Sequence, residues 1–149
     1  MTKVSETMSA VTQHLEYLGY ASTSPDEHGW IYASHPNRYT ISLREVSCGV
    51  FLHGMLGLGE RLSDNRGAWL EFLNAANEHA GLCRFWLTET STGEAMVRVR
   101  ALLPGRYDRR VYGELLDLWH ADHALLQNAP GIEASINAEA GTSLRSSVH

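Results

Sequence analysis

The stretch "CRFWLTETSTGEAMVRVRAL", residues 83–102, decides the fold. Two runs rich in β-branched and aromatic residues flank Ser91-Thr92-Gly93. A three-residue loop with glycine in third place suits a type I turn closed by a left-handed residue, the geometry that joins two antiparallel strands. That loop sets Phe85 opposite Val99, Leu87 opposite Val97 and Cys83 opposite Ala101, all on one apolar face. A two-residue loop would set Phe85 against Arg100 and mix the faces, so it is rejected. The second face then carries Trp86 opposite Arg98, Arg84 opposite Arg100 and Thr88 opposite Met96.

Upstream, Val4, Met8, Val11, Leu15 and Leu18 step by three and four, the stripe of an amphipathic helix that Gly19 ends. Three strands are expected next: "WIYASH" (30–35), "YTISLREV" (39–46) and "GVFLHGMLGL" (49–58). In the second, Tyr39, Ile41 and Leu43 face one way, and Thr40, Ser42 and Arg44 the other. The third carries three glycines, which predicts bulges or close backbone approach. A second helix begins at a Ser63 or Asp64 cap and ends before Gly81. After the hairpin, Pro104-Gly105 breaks the strand and a third helix runs from about Asp108 to Leu126. The order α-β-β-β-α-β-β-α predicts an α+β fold, one antiparallel sheet with its helices packed on one face. Residues 1–129 read as a single domain, and 130–149 as a loosely ordered polar tail with a short helix around Glu133 to Ala140.

With 149 residues the chain is long enough for one domain with a real core. Twelve basic against seventeen acidic residues give a formal charge of -5, which argues against a nucleic-acid footprint. Cys48 and Cys83 are far apart and suggest neither disulfide framework nor zinc knuckle. The N-terminus lacks the apolar core of a secretory signal, and no run approaches the roughly 20 apolar residues of a membrane span. The expectation is a cytoplasmic protein with no membrane partner.

"DLWHADHALL", residues 117–126, looks most like chemistry, because two histidines three apart flank an aspartate. Rotating about 100° per residue puts Asp122 inside the helix's apolar arc, His123 at its margin and His120 beyond it. The histidines share a side but Asp122 points elsewhere, so zinc would need further ligands from His53, Cys48, Cys83 or His79, which lack diagnostic spacing. Asp122 either sits wet at the domain edge or pairs with an arginine across an interface, because a carboxylate buried alone costs several kcal/mol. There is no GxSxG, HExxH or phosphate-binding glycine loop; Gly54, Gly57 and Gly59 have the wrong spacing for one. Asn77, at the edge of its helix's apolar arc, reads as a hydrogen-bond partner for backbone at a strand end. Trp86, Arg84, Arg98, Arg100 and Met96 form an interface-like patch, since tryptophan and arginine dominate contact energies. The opposed Arg84 and Arg100 repel mildly and ask for an acidic group or a partner nearby.

The central stretch "FLNAANEHAGLCRFWLTETSTGEAMVRVRALLPG" resembles the YbjN-type family of small bacterial proteins. The resemblance rests on Asn74 and Asn77 in one helix, a hairpin ending in an apolar-Pro step, and Leu115, Leu116 and Trp119 in the next helix. It spans about Ser5 to Asn128 and departs at the glycine-rich third strand. It implies a type III secretion chaperone-like fold and a non-enzymatic role. That role is a regulator or chaperone, homodimeric and acidic, without cofactor, binding a protein client or regulatory partner. Docking of an extended or helical client segment onto apolar surface and a free sheet edge is the mechanism expected. The alternative, from a different class, is a metal-dependent enzyme using His120 and His123.

Overall fold

Ser5 caps the first helix, its hydroxyl accepting from the Met8 N–H at 3.1 Å. Helix α1 (Glu6–Tyr17) buries Met8, Val11 and Leu15, three positions of the predicted stripe, and the chain turns at Gly19 with φ +98°. The computed structural model describes residues 4–127; the expected tail, with its short helix, lies outside the described residues. Four strands follow rather than three: β1 (Ala21–Ser22), β2 (Ile31–His35), β3 (Arg38–Val46) and β4 (Gly49–Arg61). The unforeseen β1 has two residues, too few for a two-residue period to register, and pairs with β2.

Gly49 begins β4 where only glycine fits: φ is +153° and a Cβ would stand 2.1 Å from the Leu103 carbonyl oxygen. The strand runs on to Arg61, and its pairing slips between Gly57 and Arg61, the irregularity its glycines predicted. Helix α2 (Leu62–His79) corrects the expected cap at Ser63 or Asp64. The helix starts at Leu62, whose N–H donates to the Gly93 carbonyl, and Asn65 at φ -144° kinks it after a single turn. A tertiary bond thus outweighs the capping preference.

Strands β5 (Arg84–Glu89) and β6 (Glu94–Pro104) form the predicted hairpin in the predicted register, with Phe85 opposite Val99 and Leu87 opposite Val97. Gly93 takes the left-handed position at φ +84°. Helix α3 (Arg109–Leu125) is capped by Asp108, whose carboxylate accepts from the Val111 N–H. All strand pairs are antiparallel, in the order β1-β2-β3-β4-β6-β5. Ile31, Ala33, Ile41, Leu43, Leu52, Leu56, Val97 and Val99 make one buried face, on which Leu15, Trp69, Leu116 and Trp119 of the helices pack. The result is the expected α+β architecture, with one strand more.

Candidate functional site: the uncovered sheet face

With the three helices of the described residues on one side, the alternate strand residues project from a face that none of them covers. Cross-strand partners share a face, so the register lays this surface out in rows. Tyr32, Ser42, His53, Arg100 and Arg84 form one row; Arg44, Phe51 and Leu102 form the next. Met55, Arg98 and Trp86 follow, then Gly57, Met96 and Thr88. The five residues singled out from the hairpin, Trp86, Arg84, Arg98, Arg100 and Met96, therefore do lie together.

Stacking ties the rows to one another. The Arg100 guanidinium lies 5.3 Å from the Trp86 ring centroid and 5.4 Å from that of Phe51. Arg98 is Trp86's register partner, but the guanidinium over the ring is the diagonal one. The right-handed twist of paired strands brings that diagonal neighbour within reach of a long side chain. Arg44 lies 4.8 Å from the Trp30 ring, and His53 bridges Trp30 and Trp86 at centroid distances of 6.3 and 6.1 Å. Burial first, then the charges of Arg98 and Arg100, hold the His53 pKa below its ordinary value, favouring the neutral ring. Trp30, Arg44, Phe51 and His53 were not assigned to the site from the sequence. Their place follows from the β3–β4 register, and the Ser47-Cys48 turn carries no glycine or asparagine to announce it.

Among the described residues, no carboxylate pairs with Arg44, Arg84, Arg98 or Arg100; the ion pair found there is Glu27 with the exposed His28. Asp26, at the margin of the face, accepts from the His28 and Trp30 N–H groups and from the Tyr32 hydroxyl. Among the described residues, the acidic group that the opposed Arg84 and Arg100 ask for, if not a partner, is thus not found. Between these two arginines lies a cleft of about 440 Å³ with Trp86, Leu82, Ala101 and Leu102 in its walls.

The sheet edge is a poorer docking site than the sequence suggested. On β5, the outermost strand, Asn77 donates from Nδ2 to the Phe85 carbonyl at 2.9 Å, and the Phe85 N–H donates to Asn77 Oδ1 at 2.8 Å. Asp122 takes the N–H groups of Gly81, Leu82 and Cys83 at 2.9, 2.8 and 2.7 Å. These two side chains close the edge from Gly81 to Phe85, the manoeuvre by which native sheets block further strand pairing. Asn77 does the work read for it. Asp122 is neither wet nor paired with an arginine: it is buried and bonded to backbone.

The histidines of "WHADH" serve separate neighbours. Arg38 Nη1 stands 2.7 Å from His120 Nε2, and the Tyr20 hydroxyl 3.5 Å from it, so the guanidinium engages that ring's lone pair. Burial first, then Arg38, depresses the His120 pKa to about 4. His123 is buried and donates from Nδ1 to the Trp119 carbonyl at 2.7 Å, while its Nε2 meets no polar partner. Among the described residues, no three His, Cys, Asp or Glu side chains come together as a metal set. Burial first, then the Asp122 charge, pushes the Cys83 thiol far up, which makes it a poor nucleophile. No helix among the described residues is long and apolar enough to cross a membrane.

No protein-family profile matches the chain, and no curated protein sequence does. Among solved structures, YbjN of E. coli, a candidate transcription regulator, superposes with a TM-score of 0.60 at 12% identity, over 80% of this chain and 88% of that one. An uncharacterised protein from Methanothermobacter thermautotrophicus superposes with a TM-score of 0.55 at 13% identity, over 80% and 93% of the two chains. Likeness at such identity is a likeness of backbone, and it agrees with the resemblance carried by the hairpin and its flanking helices: the chain has a YbjN-like α+β fold.

Proposed function

We propose that this chain is a non-enzymatic protein-binding module, a cytoplasmic regulatory or chaperone-like adaptor, whose uncovered sheet face is its contact surface. One observation carries the reading: among the described residues, four arginines without carboxylate partners stand among the aromatic rings of a face that no helix covers. Such a face combines donors needing acceptors with ring area that water solvates poorly, the composition of energetic centres in protein contacts. Trp86, Arg84, Arg98, Arg100 and Met96 form its hairpin half.

The module is proposed to act as a homodimer, and the second copy belongs elsewhere. Two copies meeting through the sheet face would oppose their arginines. Helix α3 offers an apolar alternative in Val111 and Leu118, each 39% exposed and seven residues apart on its outer side.

The test compares the wild-type chain with Trp86→Ala, a truncation of a half-buried residue outside the core. Affinity capture from native extract is read by mass spectrometry, with metal content and sedimentation mass measured on the same samples. The expected result is one recurring, near-stoichiometric partner that Trp86→Ala loses at least tenfold, with an unchanged sedimentation mass and near-ultraviolet circular dichroism. Equal capture by both forms would overturn the proposal. One equivalent of metal and no partner would instead favour a metal-dependent enzyme built on His120 and His123.

A further inference from the structure

We infer that the cleft between Arg84 and Arg100 reads carboxylates, and that its occupant is an acidic, extended segment of a partner protein. The inference rests on the sheet face being a protein-contact surface and names the chemistry of what it contacts. Arg84 and Arg100 are register partners on adjacent strands, exposed, like-charged and without a carboxylate among the described residues. Each bare guanidinium repels the other, and a carboxylate set between them converts that repulsion into two charge-assisted hydrogen bonds. The walls supply the rest of the recognition: Leu82 and Leu102 are half-buried apolar side chains that suit the methylene stem of a glutamate whose carboxylate reaches the arginines.

The state of the aromatic rings separates this ligand from single-stranded nucleic acid, which also favours rings and arginines on open sheets. Base stacking needs free ring faces. Here the guanidinium of Arg100 lies over Trp86 and Phe51, and that of Arg44 over Trp30. A stacked guanidinium keeps its in-plane N–H groups pointing outward, suited to a bidentate carboxylate. The chain's formal charge of -5, with these arginines included, further opposes a polyphosphate at long range.

The experiment uses the full-length chain labelled with ¹⁵N at arginine and tryptophan, titrated with three probes. These are a capped peptide alternating glutamate and leucine, the same peptide with glutamine for glutamate, and an oligothymidylate. The glutamate peptide should shift the Trp86 indole N–H and the Arg84 and Arg100 Nε–H signals. It should bind at least tenfold more tightly than the glutamine peptide, and lose at least tenfold in the double variant Arg84→Gln, Arg100→Gln. Both side chains are exposed, so that variant is expected to keep the native circular dichroism; Arg84→Gln alone, which also relieves the repulsion, gives the same direction should the pair fail to fold. Equal binding of the two peptides, or no shift with either, would overturn the inference, as would tighter binding of oligothymidylate. If the partner captured through Trp86 is still held by the double variant, the carboxylate inference falls while the contact surface stands. If Trp86→Ala captures as well as wild type, the contact surface falls first.

Discussion

Asp122 shows how much one side chain can decide. Its two oxygens accept three successive backbone N–H groups at the junction of α2 and β5, and the residue is 4% exposed. Replacing it by alanine would leave the donors of buried Cys83 and half-buried Leu82 without acceptors, and that of exposed Gly81 to water, at roughly 1–3 kcal/mol for each that water cannot reach. Asp122→Ala should therefore lose about 3 kcal/mol in urea denaturation, and Asp122→Asn, with one oxygen left, about half of that. An alanine variant within 0.5 kcal/mol of wild type, on the order of a neutral surface change, would mean that these bonds are dispensable. Half of this was legible in the sequence. Helical rotation put Asp122 in the apolar arc, and the cost of burying a lone charge demanded a partner. The partners are backbone groups 39, 40 and 41 residues away, and no side-chain pattern marks them.

At the scale of elements, legibility followed from how many constraints converged. The β5–β6 register was fully readable because loop length, the glycine at Gly93 and the apolar alternation each demanded the same pairing. The β3–β4 pairing, with a plain two-residue Ser47-Cys48 turn, offered alternation alone, so half of the sheet face stayed unassembled until Trp30, Arg44, Phe51 and His53 were seen side by side. The start of α2 was misplaced because Leu62 is held by the β5–β6 turn, a contact invisible to a local cap preference. Asn77 belongs to this scale as well, since it joins α2 to the outer strand by a two-way amide bridge. Asn77→Ala frees the Phe85 N–H and carbonyl on the sheet's outer edge. The expected cost is about 1–2 kcal/mol in urea denaturation, together with concentration-dependent light scattering from strand pairing at the reopened edge. Unchanged stability and scattering would show that the edge is guarded by something other than this amide.

For the molecule as a whole, four histidines share one bias. Burial is the largest cause lowering the pKa of His14 on α1, His53 on the sheet face, and His120 and His123 on α3. A histidine lowered on folding binds fewer protons in the native state than in the unfolded chain. Its stabilisation is whole above the ordinary histidine value and drains away as pH falls through the window below it. For His120 that window runs from 6.5 to about 4, above the range in which Asp26, lowered from 3.8, begins to lose its own contribution. The thermal midpoint should therefore fall steadily from pH 7 to pH 4.5. His123 is the most telling of the four: its Nε2 faces the sheet at Gly54 with no acceptor, so a proton gained there would be a buried, unanswered charge. One such ring adds at most about 1.4 kcal/mol per pH unit to the slope. His123→Leu should change stability at pH 7 by less than about 1.5 kcal/mol and flatten the decline on acidification. Parallel curves for the two proteins would remove His123 from the account. A flatter curve would place acid sensitivity in the packing of α3 on the sheet, the contact that holds the helices to one side and leaves the arginine face bare.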